Sequence, residues 1–169
     1  MLESCVPWPA DRAAHYRARG LWEGITIAQM LARSAGRDPK KTALVCADQR
    51  LSYQELVDIS DRLACRFIDA GIRPLDRVVV QLPNAPEFVH TYFALTRIGA
   101  IPVMALRAHR HTEIRHFVRA SGAIAYVIPD RIGDFDYRPM AMEIQSEFRS
   151  VHSVFVAGSR EPGSRTCAR

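Results

Sequence analysis

The chain has no run of about 18 apolar residues, the length that crosses a bilayer as a helix. Its opening, MLESCVPWPADR, holds no apolar segment of the kind a secretion signal needs. The expectation is a cytoplasmic protein with no membrane partner. Cysteine is sparse: Cys5, Cys46, Cys65 and Cys167 form no C-x-x-C pair and no regular spacing, which argues against a disulfide framework and a zinc site. Cys46 falls in an expected strand and Cys65 in an expected helix, both places for small buried hydrophobes rather than for a reactive thiol. Phosphate-cradling glycines are missing as well. Neither G-x-G-x-x-G nor G-x-x-x-x-G-K-S/T occurs, and the turn after Val78–Leu82 reads PNAPE, so a dinucleotide fold or a P-loop is disfavoured. No serine, histidine and aspartate order and no nucleophile elbow stands out.

What is present suits one domain of ordinary size: 169 residues, of which 48% are hydrophobic. Arginine far outnumbers lysine, and the formal charge of +5 gives weak attraction for anions without deciding the fold.

The stretch from Arg77 to Arg110 organises the rest. It reads as a strand from Val78 to Leu82, a helix from about Ala85 to Ile98, a stop at Gly99 and a strand from Ile101 to Leu106. Such a βαβ unit implies a mostly parallel sheet flanked by helices on both faces, an α/β fold. Upstream, an arginine-rich helix over Ala10–Arg19 lies between Trp8 and Trp22, which are expected to pin this arm (residues 1–25) to the main body. The α/β body, residues 26–158, then opens with a helix capped by Thr26, with Ile27, Met30 and Leu31 as its apolar positions. Strands at Thr42–Cys46 and Arg50–Ser52 form a hairpin expected at a sheet edge.

Ser52 and Glu55 make a capping box for the next helix, which Gly71 closes; Asn84 and Glu87 look like a second cap-and-acid pair. After the organising unit come a helix over Thr112–Ala120, a strand over Ile124–Ile128, a helix over Tyr137–Phe148 and a strand over Val151–Val156. Asp130, Asp134 and Asp136, set among arginines, read as a solvated loop. Residues 159–169 have no periodicity and read as a disordered tail.

Titratable groups concentrate in RAHRHTEIRHFVR, Arg107–Arg119. His109, Arg110 and His111 at its start form the candidate cluster, either an anion site at the carboxyl end of a strand or a structural turn. A metal site is disfavoured because His111 and His116 are five apart and face different ways on a helix. Nucleic acid is disfavoured because, beyond Phe117, no aromatic residues interleave the basic ones. Glu113 sits near the positive end of the helix dipole, as a solvated helix start would have it.

Several stretches together resemble the N-terminal part of the adenylate-forming ligases, and among them the stand-alone aryl-acid AMP ligases. These are WPADRAAHYRARGLWEG, LSYQELVDISDRLA, DRVVVQLPNAPEFVHTYFALTRIGAIPVMAL, AHRHTEI and IPDRIGDFDYRPMA. LSYQEL and the strand entry before Val78 are general to the superfamily, whereas the Trp-Pro opening and His109-Arg110 point to the aryl-acid group.

The resemblance implies ATP and Mg²⁺ as cofactors, and an aryl acid, 2,3-dihydroxybenzoate or salicylate, activated to its adenylate for siderophore assembly. It also implies an aryl carrier protein as thiol acceptor. It further implies that this chain is an incomplete first subdomain of the ligase N-terminal domain, truncated or frame-shifted after Gly158, because the family's phosphate loop, aryl pocket and catalytic lysine match nothing here. No catalytic, cofactor-binding or metal-binding residue is therefore assigned. The competing expectations are a non-catalytic α/β binding module, a fragment of an acyl-CoA ligase and an independent flavodoxin-like domain.

Overall fold

The computed structural model describes residues 5–158; the expected tail and Cys167 lie outside them. A four-stranded, wholly parallel sheet forms the centre, built from β3 (Arg77–Val80), β4 (Ile101–Met104), β5 (Ala125–Pro129) and β8 (Ser153–Ala157) in the order β4-β3-β5-β8. Its two inner strands are continuous apolar runs, VVV and AYVI, because side chains on both of their faces are buried. Alternation then sorts the core. Val78, Val80, Ala125 and Val127 point to the face covered by α3 (Tyr53–Asp69) and α4 (Pro86–Arg97). Val79, Tyr126 and Ile128 point to the face covered by α5 (His111–Ser121) and α6 (Tyr137–Glu147).

Local signals place these helices. Ser52 Oγ accepts from the Glu55 amide while Glu55 Oε2 accepts from the Ser52 amide at 2.8 Å, the reciprocal box that starts α3. Thr26 and Gln29 make the same box for α2 (Ile27–Arg37). The second expected cap is corrected: α4 starts at N-cap Ala85 with Pro86 in its first turn, and Asn84 makes no cap, because proline at that place already sets φ and needs no amide partner. Gly122 ends α5 at φ +62°, and a Cβ there would stand 2.8 Å from the Arg77 guanidinium, which bonds the carbonyls of Ser121 and Gly122.

Other expectations are also corrected. The hairpin of β1 (Thr42–Cys46) and β2 (Gln49–Ser52) is a separate antiparallel pair and not an edge of the main sheet; its second strand leads straight into α3. Residues 131–136 are not a loop but a short hairpin, β6 (Arg131–Ile132) and β7 (Phe135–Asp136), turning at Gly133. Trp8 and Trp22 pack edge-to-face on each other, 5.8 Å apart, with Tyr16 of α1 (Ala10–Ala18) stacked on Trp22, so they hold the arm to itself, and Trp8 stays 67% exposed. In α2 the buried stripe is Ala28, Leu31 and Ala35, leaving Ile27 and Met30 exposed. Cys65 is exposed on α3 rather than buried.

The two outer strands differ. The amides of Ile101 and Ala105 donate towards β3, so Pro102 lies with the outward-facing positions of β4, where its missing N–H blunts that edge. The β8 sequence SVFVA carries no such device.

Candidate functional site

The chain leaves β3 for β4 on one side and returns to place β5 on the other, so the topological switch falls between β3 and β5. Ligands of open α/β sheets settle at the carboxyl end of that crevice. Three segments meet at this end: Gln81 after β3, the turn 105–110 after β4, and the β6–β7 hairpin after β5.

Gln81 is fully buried. Its Nε2 donates to the carbonyls of Leu106 and His109, both at 2.9 Å, and its Oε1 accepts from the Tyr126 hydroxyl. Burial raises the Tyr126 pKa, so the phenol stays a protonated donor. The turn also closes on itself, since the His109 amide donates to Leu106 O at 3.0 Å and the Leu106 amide to His109 Nδ1 at 3.1 Å.

Arg110 is held just as firmly. Its guanidinium lies 3.9 Å above the Phe135 ring and 5.7 Å from that of Tyr137, and its Nη1 donates to the carbonyls of Arg107 and His109, both at 2.8 Å. The Tyr137 hydroxyl donates to Arg107 O at 2.7 Å. His111 Nε2 sits 2.9 Å from Glu143 Oε2 on α6. The Arg110 amide donates to Glu113 Oε2 at 2.9 Å, and this bond holds the Glu113 carboxyl below its ordinary range. His109, Arg110 and His111 are thus brought together, the first two hydrogen-bonded within the protein and His111 Nε2 buried beside Glu143 without a hydrogen bond, whereas His116 faces solvent one turn further on.

Sequence reasoning missed Gln81, Tyr126, Phe135 and Tyr137. The available signal was a glutamine directly after an apolar parallel strand, where a buried amide must find partners.

The acids of the hairpin are structural too. Asp136 caps α6 through the Arg138 amide at 3.0 Å and pairs with the Arg138 guanidinium at 2.6 Å. Those bonds to Arg138, with Arg131 nearby, hold its pKa down to about 2. The sign follows: a depressed carboxyl stabilises the fold above the ordinary Asp range near 3.9 and loses that contribution as pH falls towards 2. The thermal midpoints of the wild-type chain and Asp136→Asn are therefore expected to differ at neutral pH and to converge as pH drops from about 5 to about 2. A gap that is constant with pH would contradict this role.

The turn after β3 contains Pro83 and Pro86, which have no N–H to offer a phosphate, and no glycine that would let the backbone approach one. Among the described residues, no three His, Cys, Asp or Glu side chains gather as metal ligands.

The profile of the family described as AMP-binding enzyme matches residues 31–165. The chain belongs to this family. The match continues past Gly158 to residue 165. A "2,3-dihydroxybenzoate-AMP ligase" of Bacillus subtilis is 44% identical over 95% of this chain and 30% of its own length. A "Salicyl-AMP ligase / salicyl-S-ArCP synthetase" of Mycobacterium tuberculosis is 45% identical over 95% of this chain and 29% of its own. The solved apo structure of Mycobacterium smegmatis MbtA superposes with a TM-score of 0.82 at 41% identity, covering 89% of this chain and 28% of that one. This AMP-binding chain spans about 30% of the length of the curated relatives it matches. Its parallel sheet with helices on both faces is the α/β layer found in N-terminal domains of adenylate-forming ligases.

Proposed function

We propose that this chain forms the N-terminal structural part of an aryl-acid adenylating ligase. Such a ligase joins the carboxylate of 2,3-dihydroxybenzoate or salicylate to the α-phosphate of ATP with Mg²⁺, releasing pyrophosphate. It then passes the aryl group to the thiol of an aryl carrier protein, a step of siderophore assembly in the cytoplasm. The observation that carries this reading is identity of 44% and 45%, over 95% of the chain, to proteins named as 2,3-dihydroxybenzoate-AMP and salicyl-AMP ligases.

The residues present contribute scaffold. The α/β body over 26–158 carries the arm of residues 1–25, and no step of the chemistry is assigned to either. Within the body, His109, Arg110 and His111 act as a clasp rather than as an anion site. Arg110 Nη1 and the imidazole of His109 already have protein partners, and an incoming anion would have to break those contacts.

A chimera tests the reading. This chain replaces the corresponding N-terminal region of the 2,3-dihydroxybenzoate-AMP ligase, and ATP–pyrophosphate exchange is measured with and without the aryl acid. Aryl-acid-dependent exchange within about tenfold of the parent is expected, since only scaffold is exchanged and no group that contacts the reacting atoms. A soluble, folded chimera without exchange would contradict the proposal.

A further inference from the structure

We infer that Gln81 is the positioning residue of the Leu106–His109 turn, fixing where the His109 ring and the start of α5 sit at the carboxyl end of the sheet. The inference concerns a structural role and stands whether or not the ligase reading holds.

A primary amide has two N–H groups and one carbonyl, and here each has a defined use. Both Nε2 hydrogens go to backbone carbonyls at opposite ends of the same four-residue turn, Leu106 and His109. The Oε1 is taken by Tyr126 on β5, so the amide cannot flip without placing oxygen against two carbonyl oxygens. Its backbone is anchored as well, since the Gln81 amide donates to Val127 O at 2.9 Å. The position of the turn is thereby referred to the two central strands and not to its own exposed residues, Leu106, Arg107 and Ala108.

One consequence is specific. With the turn in place the Leu106 amide donates to His109 Nδ1, so the ring is neutral at that nitrogen and carries its hydrogen on Nε2. Leucine or methionine at 81 would leave both part-buried carbonyls without the amide's donors, and the turn would move to find new ones.

The test compares Gln81→Met, which keeps length and volume, and Tyr126→Phe with the wild-type chain. It reads amide hydrogen exchange at Leu106 and His109, with Val79 in the central strand as the internal reference. Long-range ¹⁵N–¹H correlation reports the His109 tautomer. In Gln81→Met, exchange at Leu106 and His109 is expected to rise about tenfold relative to Val79, and the pure Nε2–H signature to become mixed. Tyr126→Phe, which frees the amide without emptying the core, is expected to give a smaller rise of the same sign. Unchanged exchange and tautomer in folded Gln81→Met would overturn the inference. A uniform rise that includes Val79 would do so too, because it would mean that Gln81 only fills space. Should Gln81→Met not fold, Tyr126→Phe decides by the same two readouts.

Discussion

Phe67→Ala is expected to destabilise the chain by about 3–5 kcal/mol, the range for emptying a large aromatic site in a closed core. Phe67 is only 1% exposed and lies on the face of α3 that also buries Leu56, Ser60 and Ala64. Its ring stands edge-on to Phe155 of β8, 4.9 Å away, so it joins a helix early in the chain to the last strand described. The loss has two parts. Apolar area returns to water in the unfolded comparison, and the rigid neighbours Ile72, Val78 and Leu95 cannot close the void. For a chain of this size the thermal midpoint should fall by roughly 6–20 °C. Phe67→Leu, which keeps most of the volume, should lose less than half of that. A shift under about 2 °C for the alanine variant would mean that this core is not packed as described.

Arg110→Ala carries the second large effect, about 2–4 kcal/mol, for a different reason. The side chain is half-buried, stacked on Phe135 and bonded to two carbonyls, so its removal leaves Arg107 O and His109 O each short of a charged donor and uncovers an aromatic face. The effect should appear in the β6–β7 hairpin and the start of α6 as faster amide exchange at Phe135 and Tyr137. Lysine restores the charge but not the planar fork, so Arg110→Lys should recover only part of the loss. Full recovery with lysine would indicate that charge alone holds the clasp. An alanine variant as stable as wild type would return Arg110 to the role of a free cation.

These two residues show what could be read in advance. The βαβ unit was legible because its periodicity changes from continuous apolar to helical and back within one short stretch, and Arg77–Val80, Pro86–Arg97 and Ile101–Met104 lie where that change places them. The capping box at Ser52 and Glu55 was legible because its chemistry is local. Asn84 misled since a cap-like residue three before an acid cannot be told from one displaced by the proline that follows it.

The hairpin at Arg131–Asp136 and the self-packed tryptophans were hidden for another reason: both depend on partners distant in sequence or on strands too short for alternation to show. The candidate cluster was found by its charge density, but its character was not. That Arg110 is spent on Phe135 and two carbonyls, and His109 on Leu106, follows only once β4, β5 and the hairpin are brought to one end of the sheet. Gln81 escaped notice because a single glutamine carries no motif; its meaning comes from being fully buried.

The proposed role of this AMP-binding chain is scaffold and not chemistry. It is tested most directly by ATP–pyrophosphate exchange on the chain itself, with Mg²⁺ and either 2,3-dihydroxybenzoate or salicylate, after circular dichroism has established that it is folded. No exchange above the protein-free rate is expected, because the switch point holds Gln81 and a proline-bounded turn where a phosphate cradle would need glycines and free amides. Exchange that depends on the aryl acid would contradict it and would place a nucleotide site within these 169 residues.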